Sequence, residues 1–199
     1  MKTISNDTDL VRTLNDTLLS LVRAVVTKPD AVSITQSIHG PLVAMVIKTH
    51  PDDIPRVIGA KGKHFRALEA IIASLARQIN RETHLAIDDK GRVPGSPTSK
   101  APSFNTPKDM APVEKLLKNT VSMFMDSPDS VEVIRTDIPP GTTIFEVRVK
   151  DANIAAITGP MVNFDYGPDG AVIGSIKNLF DGIGKNHGRL IRVVLNKIE

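Results

Sequence analysis

Apolar and polar positions along this chain run through the same succession of periods twice. The stretch from Leu18 to Ile34 predicts an amphipathic helix, a break at Pro29-Asp30 and the start of a strand. Leu117 to Val133 repeats it, with Pro128-Asp129 at the break. An alternating strand is then predicted in each half. Val43, Met45 and Ile47 share one face over 42–49, and Phe145, Val147 and Val149 do so in the second half. A short helix follows, with Ile54, Val57 and Gly59 answered by Ile154, Ile157 and Gly159. A long helix over 62–80 places Leu68, Ile71, Ile72 and Leu75 together, matched by Ile176, Leu179, Phe180 and Ile183. A last strand over 83–88 pairs Leu85 and Ile87 with Val193 and Leu195. The reading is α+β, each half ordered helix, strand, strand, short helix, long helix, strand, with a three-stranded sheet covered by helices.

Between the halves the periodicity disappears. Residues 90–112 hold Gly91, Pro94, Gly95, Pro97, Pro102, Pro107 and Pro112 among Ser, Thr and Lys. Such a stretch buries too little apolar surface to offset its ordering entropy, so it reads as a linker. The expected division is therefore 1–89, linker 90–112, and 113–199. The linker carries four basic residues against one acid, so it accounts for the formal net charge of +3. A charge that small does not by itself select a nucleic-acid partner.

Composition narrows the chemistry. Cysteine is absent, which excludes disulfides, thiolate metal sites and Cys nucleophiles. Aromatic residues make up 4% and Trp is absent, which disfavours binding of bases on an aromatic platform. No run is long and apolar enough for a membrane span, and the first residues lack the apolar core of a signal peptide, so a cytoplasmic protein with no membrane partner is expected.

The densest motif is Val57-Ile58-Gly59-Ala60-Lys61-Gly62-Lys63-His64, followed by Arg66. A Gly-x-x-Gly turn between two helices lets a backbone approach a ligand closely. Helix N-terminal amides and the flanking cations favour an anion there. A lysine at a helix N-terminus is mildly unfavourable, by about 0.3–1 kcal/mol, so two retained there point towards binding. This loop within this element order resembles the type II KH domain, most of all the small stand-alone bacterial KH proteins of the KhpA kind. The likeness covers residues 15 to 88. It implies a groove for a single nucleic-acid strand, RNA being the family's ligand; the residues do not separate RNA from single-stranded DNA. It implies that Gly59, Ala60 and Gly62 lie against the sugar-phosphate chain. Lys61 and Lys63 would attract phosphate, with His64 and Arg66 assisting. Ile58, with an apolar residue such as Leu68, would floor the groove, and strand 42–49 or 83–88 would offer backbone groups to base edges.

The second half resembles the family through its pattern alone, as a degenerate copy. Its loop, 159–170, is eight residues longer than the first and carries Asp165 and Asp169 with no Lys or Arg. Carboxylates repel phosphate, so this copy is expected to orient the first or to present Met161, Phe164 and Tyr166 to a protein partner or a second copy. Gly174, Gly182 and Gly184 are expected to weaken its long helix, each by roughly 1 kcal/mol.

Other chemistry is thin. One carboxylate of Asp52-Asp53 is expected to cap the helix that begins at Ile54-Pro55. The histidines have no partners at metal-ligand spacing. His187-Gly188 reads as a helix C-terminus. No nucleotide-loop, nucleophile-elbow or zinc-protease motif is present, and no cofactor or catalytic residue is assigned. The two function classes that remain are a non-enzymatic RNA-binding protein and a protein–protein adaptor built on the same fold.

Overall fold

A computed structural model describes residues 7–88, 109–125, 127–138, 141–150, 157–158 and 171–198. Helix α1, Asp7–Val25, buries Val11, Leu14, Leu18, Leu21, Val22 and Val25, a helical spacing that gives it one continuous apolar face. A 3-10 turn at Pro29–Ala31 ends the helical run, as the proline requires. Strands β1, Ser33–His39, and β2, Leu42–Lys48, form an antiparallel hairpin. Helix α2, Ile54–Ile58, and helix α3, Lys63–Arg77, flank the Gly-x-x-Gly loop. Strand β3, Glu82–Ile87, then returns parallel to β2.

The second half repeats this plan. Helix α4, Ala111–Ser122, leads through a 3-10 turn at Pro128–Ser130 to β4, Val131–Ile138, and β5, Thr142–Lys150. Ile157 and Thr158 are helical, and α5, Ala171–Asn186, precedes β6, Leu190–Ile198. The sheets have the orders β1-β2-β3 and β4-β5-β6, each with one antiparallel and one parallel pairing. The architecture is thus two tandem KH-like units. Helix α4 starts inside the stretch expected to be linker. Asp109 accepts from the Ala111 amide, Met110 is buried, and Pro112 sits in the first turn, where its missing N–H costs nothing.

The helices of the two halves meet, so one apolar core runs through both. Counterpart helices pair: α3 packs on α5, and α1 packs on α4, where the Thr17 hydroxyl donates to Met123 Sδ at 3.1 Å. α5 is buried on more than one face because it lies against both its own sheet and α3.

Two of the three glycines expected to weaken α5, Gly182 and Gly184, have a different role. A β-carbon on Gly184 would come within 2.7 Å of the Arg189 carbonyl, and one on Gly182 would overlap the His64 ring. Their absent side chains permit close packing, which offsets their helix cost.

Candidate nucleic-acid interface

Helix α2 is short and anchored by its buried Ile54 and Val57. It stops where the Gly59 amide donates to Pro55 O at 2.9 Å, and the Gly62 amide then closes a turn onto Gly59 O at 3.1 Å. Three residues in this turn have positive φ: Gly59 at 71°, Lys61 at 54° and Gly62 at 77°. The conformation at Gly59, with ψ 172°, is open essentially to glycine alone. Lys61 holds the left-handed region without glycine's freedom, a cost of order 1 kcal/mol or more. The outcome is a projecting loop whose outer rim is Ala60, Lys61 and Lys63, all exposed. Gly62 occupies the N-cap of α3 and has no side chain to cap the first turn.

The other predicted residues divide. Arg66 is exposed but turns back, donating to Lys61 O at 2.7 Å, so it braces the loop. His64 faces inward. Its Nδ1 lies 2.7 Å from Arg56 O; because a carbonyl can only accept, Nδ1 carries the proton. The ring fits between Gly59 and Gly182, and burial lowers its pKa below the ordinary histidine value. Ile58 is partly exposed beside the loop, whereas Leu68 is fully buried in the core and is not open to a ligand. Phe65, one residue beyond His64, is partly exposed and packs against the core from the first turn of α3. Helical spacing puts Phe65 on the same face as Leu68, Ile72 and Ala76, so only its place in the first turn of α3 leaves it partly open.

Of the two strands expected to face a ligand, β2 is central and bonded on both sides. The edge strand β3 is therefore the one whose backbone can add a partner, and it packs against α3. The basic loop therefore leads into a helix, α3, that packs beside the sheet's edge strand β3.

The loop is held from behind. Asp53 occupies the N-cap position of α2 but does not cap it. Its buried carboxylate accepts from Thr27 N at 3.0 Å, Thr27 Oγ1 at 2.8 Å and Lys28 N at 3.0 Å, and lies 3.4 Å from Arg56 Nε. Arg56 Nη1 donates to Asn186 Oδ1 at 2.6 Å, and Asn186 Nδ2 donates to Val25 O. One polar chain thus joins the end of α1, the start of α2 and the end of α5. Its partners come from both halves.

Asp52 is exposed and pairs with Lys28 at 2.9 Å. Among the described residues no group of His, Asp and Glu has the arrangement to hold a metal ion, and no helix is long and apolar enough to cross a membrane. Met161, Phe164 and Tyr166, with the rest of loop 159–170, lie outside the described residues. The C-terminus of α5 is as expected: Gly188 has φ 64°, and Arg189 N donates to Gly184 O at 2.9 Å.

Comparison with known proteins falls on the same region. The family model described as KhpA/KhpB, KH domain, matches residues 15–87. A curated relative, the RNA-binding protein KhpA of Halalkalibacterium halodurans, is 30% identical over 69 residues, which cover 35% of this chain and 91% of the relative.

Proposed function

The chain belongs to the KhpA/KhpB KH-domain family, and from that premise we propose that it binds single-stranded RNA through the loop Gly59 to Lys63 and the groove between α3 and β3. It does so as a binding protein, not an enzyme, and its RNA lies in the cytoplasm. The observation that carries the reading is the loop itself. Three positive-φ residues push a backbone arch and two lysines into solvent, while Arg66, His64 and the Asp53–Arg56–Asn186 chain fix its base. Gly59, Ala60 and Gly62 would meet the sugar-phosphate chain. Lys61 and Lys63 would supply salt-sensitive attraction, and Ile58 and Phe65 would contact bases. His64 and Arg66 act on the loop's shape. The second half serves as its support, since Asn186 and Gly182 both reach the loop's base.

The test is fluorescence anisotropy with a pool of short single-stranded RNAs at two salt concentrations, beside a Lys61→Asp, Lys63→Asp variant. Binding should weaken steeply with salt, and the variant should lose at least tenfold in affinity. The same oligonucleotides as DNA measure what the 2′-hydroxyl contributes. RNA affinity untouched by the double substitution overturns the assignment. A second reading, a protein–protein adaptor, draws on Ile138, Leu190 and Val194, which are exposed on the outer face of the second sheet. It expects a partner contact insensitive to salt.

A further inference from the structure

Glu69 is the one acidic side chain on α3. It lies one helical turn beyond Phe65, so the two share a face. It is partly buried, and the charges that act on it are those of His84, on β3, and Arg66. α3 packs on β3, so this face, one turn past the basic loop, borders the groove proposed above. Among the described residues no hydrogen bond or salt bridge holds its carboxylate. A carboxylate is an unfavourable neighbour for phosphate, so in this groove it must meet something other than the backbone of the strand.

Resting on the RNA-binding reading of this groove, we propose that Glu69 is a specificity-determining residue that selects bases presenting N–H donors on their exposed edge, guanine foremost, and rejects uracil. Ionised, the group only accepts hydrogen bonds. Guanine offers N1–H and an exocyclic amine side by side, which two carboxylate oxygens can take together. Cytosine and adenine each offer one amine. Uracil sets its single N3–H between two carbonyls, which repel a carboxylate. A single strand leaves these edges free to be read. The half-buried setting raises the pKa of Glu69 through lost hydration, and a base donor would restore what water no longer supplies. A hydrogen bond to a charged group in such a setting corresponds to about a tenfold or larger difference in affinity.

The experiment compares a uridine octamer, a cytidine octamer and an alternating guanosine-uridine octamer by anisotropy. Three full-length proteins are used: wild type, Glu69→Gln, and Lys61→Asp with Lys63→Asp. Thermal unfolding confirms that each is folded. Wild type should prefer the guanosine-containing octamer over the uridine octamer by about tenfold or more, with cytidine between. Glu69→Gln, which can both donate and accept, should bring the three affinities together. The lysine variant should weaken all three alike. Equal wild-type affinities, or a preference unchanged in Glu69→Gln, overturn the role of Glu69 while leaving the groove assignment intact. Failure of every octamer to bind, or binding indifferent to the two lysines, overturns both.

Discussion

The imidazole of His64, in the first half, rests directly on the backbone of Gly182, in the second. The loop residue and the helix glycine therefore specify each other. Gly182→Ala gains about 1 kcal/mol in helix propensity but forces a β-carbon into the ring. The ring cannot swing aside, because Nδ1 is bonded to Arg56 O and Gly59 backs its other side. Overpacking costs about 1–3 kcal/mol, so the steric term should win and the variant should lose about 1–2 kcal/mol. Adding His64→Ala should remove the clash. Urea unfolding of the two single variants and the double should give a coupling of at least about 1 kcal/mol. Additive effects would show that the contact is not tight.

His64 also makes stability depend on pH. Its folded pKa is lowered by burial, with Lys185 opposing the proton and Arg56 O and Asp181 favouring it. Below about pH 6.5, where an unfolded histidine titrates, the unfolded chain takes up a proton that the folded chain resists. Stability from this group is therefore complete above that pH. It falls as the pH drops, until the folded pKa is passed. The urea midpoint should fall further between pH 7.5 and 5.5 in wild type than in His64→Gln. An equal fall in both would show that another group carries the dependence.

Most of the fold was legible because burial imposes period. Val43, Met45 and Ile47 and their counterparts Phe145, Val147 and Val149 are all fully buried, as their alternation predicts. The site was legible only in part. Gly59, Lys61 and Lys63 announce a projecting loop through residue type alone. The inward turn of His64 was not legible, since its cause is a glycine more than a hundred positions away. Leu68 and Phe65 are both apolar, and only the final placement of α3 decides which is sealed. Asp53 sits where a capping residue belongs, yet its carboxylate bonds to Thr27 and Lys28, a tertiary contact with no local signal.

That contact makes Asp53 a stability prediction. It is fully buried, accepts three hydrogen bonds and faces Arg56. Asp53→Ala would remove the acceptor of Thr27 N, Thr27 Oγ1 and Lys28 N and the carboxylate that faces the buried Nε of Arg56. Breaking a buried charged network of this kind costs about 3–5 kcal/mol. Thermal unfolding should show a large fall in Tm, while Asp52→Ala, at the exposed neighbour, should leave Tm nearly unchanged. Similar losses for both would contradict the burial difference between them.

The two loop glycines should separate folding from binding. Gly59 combines φ 71° with ψ 172°, and a β-carbon there would meet His64 N at 2.9 Å and Cγ at 2.5 Å. Backbone and ring cannot both retreat, so Gly59→Ala should lose about 2–3 kcal/mol in urea unfolding. Gly62 lies in the ordinary left-handed region, and its nearest obstacle is the guanidinium of Arg66 at 3.1 Å, the movable end of a long side chain. Aspartate tolerates that region, so Gly62→Asp should remain folded at a cost of about 1 kcal/mol. Its carboxylate would nonetheless stand where phosphate is expected to approach, beside Lys61 and Lys63. RNA affinity should fall by at least about tenfold, and far more than in Gly62→Ala, which adds bulk without charge. A folded Gly62→Asp that binds RNA as tightly as wild type would remove the loop from the binding surface.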